Sequence, residues 1–306
     1  MDHAALSSAR LSMKPGLKRF LHWLGSGLAL SGLLFVAFRL YNYWVDIDFK
    51  NFSKVSWAYI AGCAFAYCSA NLLLATAWRR LLEQLGVEVA AFWAFRAYGI
   101  SQLAKYVPGN IFHLAGRQAI GMAAGLSGAV MAKSTMWEIG LLIAAGALFG
   151  WLALPLLVPG FSMMFCMGFL LLSVLGVVIA LFRFIGSQVA SAFINQMLFL
   201  AVSALIFIIL LKVVVNITVL PFEVWLMMGG AYTIAWLAGL MTPGAPAGVG
   251  VRELVLITLL NGMINDAQLL AAVLIGRLVT VAGDLIFYIS SLIIPPFISV
   301  RHQSNG

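Results

Sequence analysis

The chain has 306 residues, 63% of them hydrophobic and only 9% charged, with a mean hydropathy of +1.04. A soluble domain carries about 25% charged residues, so this composition excludes a soluble globular protein and indicates an integral membrane protein. The net charge of +8 comes from 18 Lys and Arg against 10 Asp and Glu, and no polar stretch is long enough to form a nucleic-acid-binding module.

Residues 1–19 form a basic lead containing Arg10, Lys14, Lys18 and Arg19. An apolar segment follows over 20–44 and ends in Tyr41, Tyr43 and Trp44, an interfacial aromatic cluster. It is longer than the apolar region of a cleaved signal peptide, so a retained signal anchor with a cytoplasmic N-terminus is expected. The next apolar run, 57–78, is closed by Arg79 and Arg80, which adds to the positive-inside signature.

A helix that crosses a bilayer needs about 20 mostly apolar residues. Seven segments meet that length: 20–44, 57–78, 130–155, 161–182, 194–215, 222–241 and 267–295. The stretches 92–128 and 242–265 are also apolar but are interrupted by Gly, Pro and charge. The predicted fold is therefore all-α: a polytopic membrane helix bundle of seven full spans plus two Pro-Gly-interrupted helices, re-entrant or broken. One transmembrane domain is expected over 20–295, with a short polar tail at 296–306. Each interrupted stretch lies between two clean spans, which suggests an internal repeat with units 57–155 and 222–295. Four spans lie between the two motifs, so simple counting puts both on the same side of the membrane, whereas an inverted repeat needs an odd count.

The two interrupted stretches share a frame. Pro108-Gly109 is followed by Arg117, and Pro243-Gly244 by Arg252, each arginine nine positions after its proline. Pro-Gly does not sit inside an unbroken helix, because proline lacks the N–H and glycine is conformationally loose. In a bilayer such a break is tolerated only where it is buried in protein or lines a wet cavity. A cation just past each break is the expected form of a membrane site for an anionic group.

In the first motif Tyr98, Gln102 and Lys105 fall at i, i+4 and i+7, and Asn110, His113 and Arg117 at i, i+3 and i+7, so each set shares one helical face. A helix starting after Gly109 would turn its positive N-terminal end toward the break, with Lys105 and Arg117 nearby, which is the physics of a phosphate site. The competing reading is a loop whose cations touch lipid headgroups. In the second motif, two prolines and three glycines between Pro243 and Gly250 preclude a helix, and Arg252 and Glu253 open the next apolar run. Glu253 then falls in a first helical turn, where a carboxylate is favoured.

Three further charges, Glu138, Arg277 and Asp284, lie within apolar spans. Each would cost at least about 2.5–3.5 kcal/mol if unpaired at that depth, so each should face the bundle and find a partner. Arg277 and Asp284 are too far apart on one helix to bond directly, so partners on other helices are expected, with Arg117 or Arg252 the candidates for Glu138. Such pairs are as consistent with holding helices together as with transport. Cys63, Cys68 and Cys166 have no disulfide or metal spacing, and no His, Cys or carboxylate cluster forms a metal site. No metal, cofactor or nucleotide is implied.

The segments QLAKYVPGNIFHLAGR (102–117) and TPGAPAGVGVRE (242–253), in that order and spacing, resemble the lysylphosphatidylglycerol synthase transmembrane (flippase-like) family, over about residues 20 to 295. The resemblance implies a multi-pass protein of a bacterial or archaeal inner membrane that translocates or handles an anionic or modified lipid. It carries over Tyr106, Pro108, Gly109, His113, Arg117, Pro243, Gly244, Gly248, Gly250, Arg252 and Glu253 as motif positions. Ala245-Pro246-Ala247 departs from the glycine-rich second motif of that family. The chain ends eleven residues after Pro295, which leads to the expectation of a stand-alone member without the family's soluble aminoacyl-transfer domain.

Two function classes follow. One is a lipid flippase or lipid-headgroup transporter for an anionic phospholipid or polyprenyl-linked glycolipid, with membrane lipid as its partner and Lys105, Arg117 and Arg252 on the phosphate. The other is a membrane glycosyltransferase or accessory subunit working with partner proteins of envelope lipid assembly, with Asp46 and Asp48 as an acidic pair.

Overall fold

The computed structural model describes residues 52–107, 111–215, 220–242, 248–295 and 300–302. The basic lead, the expected span 20–44, Asp46, Asp48, Pro108, Gly109, Asn110, Pro243 and Gly244 lie outside the described residues.

The described chain is helical apart from one two-stranded ribbon. Its helices are α1 (Lys54–Gln84), α2 (Ala91–Gln102), α3 (Phe112–Ala123), α4 (Gly128–Leu148), α5 (Gly150–Leu157), α6 (Met163–Phe184), α7 (Ser187–Val215), α8 (Phe222–Met241), α9 (Val251–Leu259) and α10 (Asp266–Ile293). A 3-10 turn, Leu103–Tyr106, extends α2. Strands β1 (Val87–Val89) and β2 (Val300–His302) pair antiparallel. The ribbon departs from the purely helical expectation. Val87 and Val89 are buried while Glu88 alternates outward, a period of two in a stretch too short for a helix.

Helices α1, α6, α7, α8 and α10 are long and apolar enough to cross a membrane, and α4 with α5 makes a sixth if that bent pair is one span. The protein is thus a multi-pass membrane protein. Helix α6 shows why the surface belongs in lipid: Met164 is 81% exposed and Phe184 84%, on a helix that buries little of itself. Water would penalise such a surface, but lipid tails do not.

The span expected over 130–155 bends by 41° where α4 meets α5. Pro155, inside α5, cannot donate to the preceding turn. The bent piece packs on α8, where Gly230 allows so close an approach that an added Cβ would lie 2.7 Å from the Ala153 nitrogen.

One end of the bundle is marked by the ribbon. There the Arg96 guanidinium donates to the carbonyl oxygens of Ser291, Leu292 and Ile294, and Gln84 donates to the Ile185 carbonyl at 3.1 Å. Trp78 stacks on Trp93 at 5.9 Å and donates to Ser134 at 3.3 Å. These contacts gather the end of α1, the starts of α2 and α4, the α6–α7 junction and the end of α10. At the opposite end, Leu211, Leu260, Ile264 and Leu269 form one apolar cluster with Val215, Leu220 and Val224, which gathers the end of α7, the start of α8, the end of α9 and the start of α10.

It follows that α2 and α3 enter from the ribbon end and return to it, while α8 and α9 enter from the opposite end and return there. The counting argument, which takes 222–241 as a full crossing, expects both motifs on one side, and α8 over 222–241 is itself long and apolar enough to cross a membrane. Helix α8 is followed by α9, a helix of only nine residues.

Candidate functional site

The two breaks face each other. Helix α2 and its 3-10 turn stop at Tyr106 and α3 begins at Phe112, while α8 stops at Met241 and α9 begins at Val251. Between them lies a cavity of about 210 Å³, bordered by Lys105, Tyr106, Ile111 and His113 from one hairpin and by Met241, Val249 and Arg252 from the other. Aromatic and apolar side chains of α1, α4, α7 and α8 complete the wall, among them Tyr67, Leu142, Phe199 and Trp236.

Of the residues singled out in the sequence, Lys105, Tyr106, His113, Glu138, Arg252 and Arg277 reach this cavity. The face formed by Tyr98, Gln102 and Lys105 also points into it, as its helical spacing predicts.

Lys105, Arg252 and Arg277 border the cavity with His113, and Arg117 lies behind its wall; of these cations Lys105, Arg277 and Arg117 are held by carboxylates. Lys105 Nζ lies 2.6 Å from Asp284 Oδ2. Arg277 lies 2.6 Å from Glu253 Oε1 and donates to the Gly248 carbonyl at 3.3 Å. Arg117 is bound to Glu138 Oε2 and is only 1% exposed. Its guanidinium stacks 4.3 Å from the Tyr98 ring centre and 5.2 Å from that of Trp78. The Tyr98 hydroxyl donates to the other Glu138 oxygen at 3.0 Å. Arg117 is therefore held in a buried pair behind the cavity wall and is not among the residues that border the cavity. The physical reason is that Glu138, on α4, would otherwise be a buried charge with no counter-ion.

Arg252 differs. Among the described residues it makes no ion pair, and its Nε lacks a hydrogen-bond partner. It is half-buried, with its guanidinium 5.5 Å from the centre of the Trp236 ring.

Glu253 also turns away from the cavity. It accepts the Gly250 N–H at 2.8 Å, closing the N-terminus of α9, and its other oxygen holds Arg277. The second motif thus caps its own helix start at Gly250. At the first motif, Ile111, at the N-cap of α3, makes no side-chain capping bond among the described residues, and that N-terminus borders the cavity through Ile111, His113 and Leu114. A helix start of this kind favours anions.

Gly248 and Gly250 owe their identity to backbone, with φ of +71° and +86°. A Cβ on Gly248 would also fall 2.8 Å from Gly239 Cα and 2.9 Å from Arg252 Nε. Gly248→Ala is expected to destabilise the protein by about 1–3 kcal/mol through strain and overpacking, seen as a lower melting temperature in detergent. An unchanged melting temperature would show that the close approach of α8 and α9 is not required.

Beneath the cavity floor sits Asp284, 0% exposed. Besides Lys105, it accepts from Tyr106 at 2.5 Å, Asn71 at 3.0 Å and Gln102 at 3.4 Å. The partners expected for Arg277 and Asp284 on other helices are therefore Glu253 and Lys105. Asn71, Tyr67, Trp236 and Gly239 were not singled out in the sequence. Asn71 carried a usable signal, an amide within an apolar span, whereas the aromatics and Gly239 are ordinary membrane-helix residues until their neighbours are known.

No protein-family model matches the chain and no curated protein matches it, so the family resemblance rests on the two motifs alone.

Proposed function

We propose that the protein is a lipid flippase or lipid-headgroup transporter of a bacterial or archaeal inner membrane, acting on an anionic phospholipid or polyprenyl-linked glycolipid. The observation that carries this reading is Arg252: a cation on a cavity wall within an apolar bundle, left without a carboxylate among the described residues while its three basic neighbours are paired. An unmatched cation at such depth is costly, and a phosphate is the counter-ion that would relieve it. The N-terminus of α3, uncapped among the described residues, adds partial positive charge for the same ligand, and His113 lies beside it. An arginine can hold two phosphate oxygens at once.

The hairpins support an internal repeat of inverted sense. With α8 counted as half of a hairpin, the second unit begins with α7: α1, hairpin and α4–α5 correspond to α7, hairpin and α10. The second unit then runs over 187–293 instead of 222–295. Helices α1 and α7 run in opposite directions between the two ends. With Arg79 and Arg80 at the ribbon end, the positive-inside rule assigns that end to the cytoplasm, and the second hairpin enters from outside. A site reached by hairpins from both sides suits alternating access.

Purified protein in vesicles is expected to accelerate leaflet exchange of phosphatidylglycerol without ATP or divalent metal. Exchange indistinguishable from that of empty vesicles, across several anionic lipids, would overturn the proposal.

A further inference from the structure

The transport reading leaves the buried Lys105–Asp284 pair without a role, and its placement is unusual. Lys105 borders the cavity with 15% of its side chain exposed, whereas Asp284, 2.6 Å behind it, is fully enclosed. An anion entering the cavity therefore meets Lys105 first and competes with Asp284 for the same ammonium. Once the ammonium turns to the anion, the other donors on Asp284 are neutral: the Tyr106 hydroxyl and the amides of Asn71 and Gln102.

Among the described residues, none of the cations near Asp284 is held to it besides Lys105; His113 of α3 borders the same cavity beside Lys105 but makes no bond to Asp284. On α1 the facing groups are Tyr67, Cys68 and Asn71, and on α2 Gln102. Arg252 of α9 borders the same cavity, where the incoming anion would engage it, and makes no ion pair with Asp284. Arg277, on α10 itself, is bound to Glu253, and Arg96 is bound to backbone carbonyls at the ribbon end. The one ionisable residue of α7, Lys212, lies in that helix's last turn and is exposed. A bare carboxylate sealed among neutral donors is unfavourable, and a proton is the smallest species that can reach it.

We propose that the Lys105–Asp284 pair couples anionic headgroups to protons, so that seating the phosphate on Lys105 releases Asp284 to take up one proton. This rests on the transport reading of the same cavity. Net charge is the same at each stage. Empty, the Arg252 guanidinium, the Lys105 ammonium and the Asp284 carboxylate sum to one positive charge. Loaded, the two cations and the phosphodiester again sum to one positive charge beside a neutral carboxylic acid, the proton having come from water at the mouth of the cavity. Release reverses both events on the other side, and a proton gradient then serves as an energy source.

Thermodynamic linkage fixes the expected size: one proton taken up per anion strengthens binding about tenfold for each pH unit of acidification. The test uses full-length protein in phosphatidylcholine vesicles containing labelled phosphatidylglycerol, a phosphodiester whose charge is constant between pH 5.5 and 7.5. An imposed pH gradient is expected to concentrate the lipid in one leaflet, and Asp284→Asn, which keeps an amide in place of the carboxylate, is expected to abolish that response. In parallel, a pH-sensitive dye should report proton uptake when soluble glycerophosphoglycerol is added to wild-type protein in detergent, a measurement that needs no variant. Uptake with the soluble diester identifies the headgroup as sufficient; coupling seen only with phosphatidylglycerol identifies the lipid itself as the ligand. Exchange that proceeds but ignores both the gradient and bulk pH would overturn the coupling while leaving the transport reading intact. Absence of any exchange would remove both.

Discussion

Arg252→Ala is expected to lower anionic-lipid exchange by about 10- to 100-fold, the loss of a charged hydrogen bond worth about 1.5–3 kcal/mol. Stability should change little. Among the described residues Arg252 holds no carboxylate, so no buried acid is orphaned, and what the fold loses is the contact with Trp236, worth about 0.5–1 kcal/mol. Arg252→Lys should recover only part of the activity, because an ammonium on a flexible stem cannot match two oxygens of one phosphate. The measurement pairs vesicle exchange with a melting temperature for each variant. A well-folded Arg252→Ala protein with full activity would remove the central residue of the site, and a protein that melts far lower would make Arg252 a structural residue.

Arg117→Ala should do the opposite. Its guanidinium is bound to Glu138 and enclosed between the rings of Tyr98 and Trp78, so truncation leaves a buried carboxylate supported by one tyrosine hydroxyl. Breaking a buried pair this way costs about 3–5 kcal/mol and should appear as poor expression and a much lower melting temperature. The diagnostic variant is the double change Arg117→Met with Glu138→Gln, which removes both charges and keeps volume. It should recover more than half of the lost stability, because the penalty lies in the orphaned charge more than in the missing contact. If Arg117→Ala instead melts like the wild type and selectively loses exchange, Arg117 belongs on the ligand after all.

The contrast between these two arginines measures what could be read in advance. Both sit nine residues after the proline of a Pro-Gly pair, and by sequence they are equivalent. Their difference comes from what each meets: Glu138, twenty-one residues on, reaches Arg117, while the acid nearest Arg252 in sequence, Glu253, is drawn to Gly250 and Arg277. Adjacent residues on a helix point about 100° apart, so the Arg252-Glu253 dipeptide cannot pair with itself across a cavity wall.

By itself, the amino-acid sequence determined that the chain belongs in a membrane, where the apolar helices α6, α8 and α10 lie to within two residues while α1 and α7 run six or seven residues further at one end, and that helices stop on either side of both Pro-Gly motifs. These are local properties: apolar length, the missing N–H of proline and the looseness of glycine act without reference to the rest of the chain. It also determined that Glu138, Arg277 and Asp284 need partners, since the cost of an unpaired charge in an apolar span does not depend on which partner is found. Only the tertiary structure decided the partners themselves, the bend between α4 and α5, the ribbon joining 87–89 to 300–302, and the return of α8 through α9 from the end opposite the first hairpin. Each of these depends on which helices pack together. The pairing of Lys105 with Asp284 spans 179 positions, and an ion pair is set by distance in space, which hydropathy and spacing along a chain do not encode.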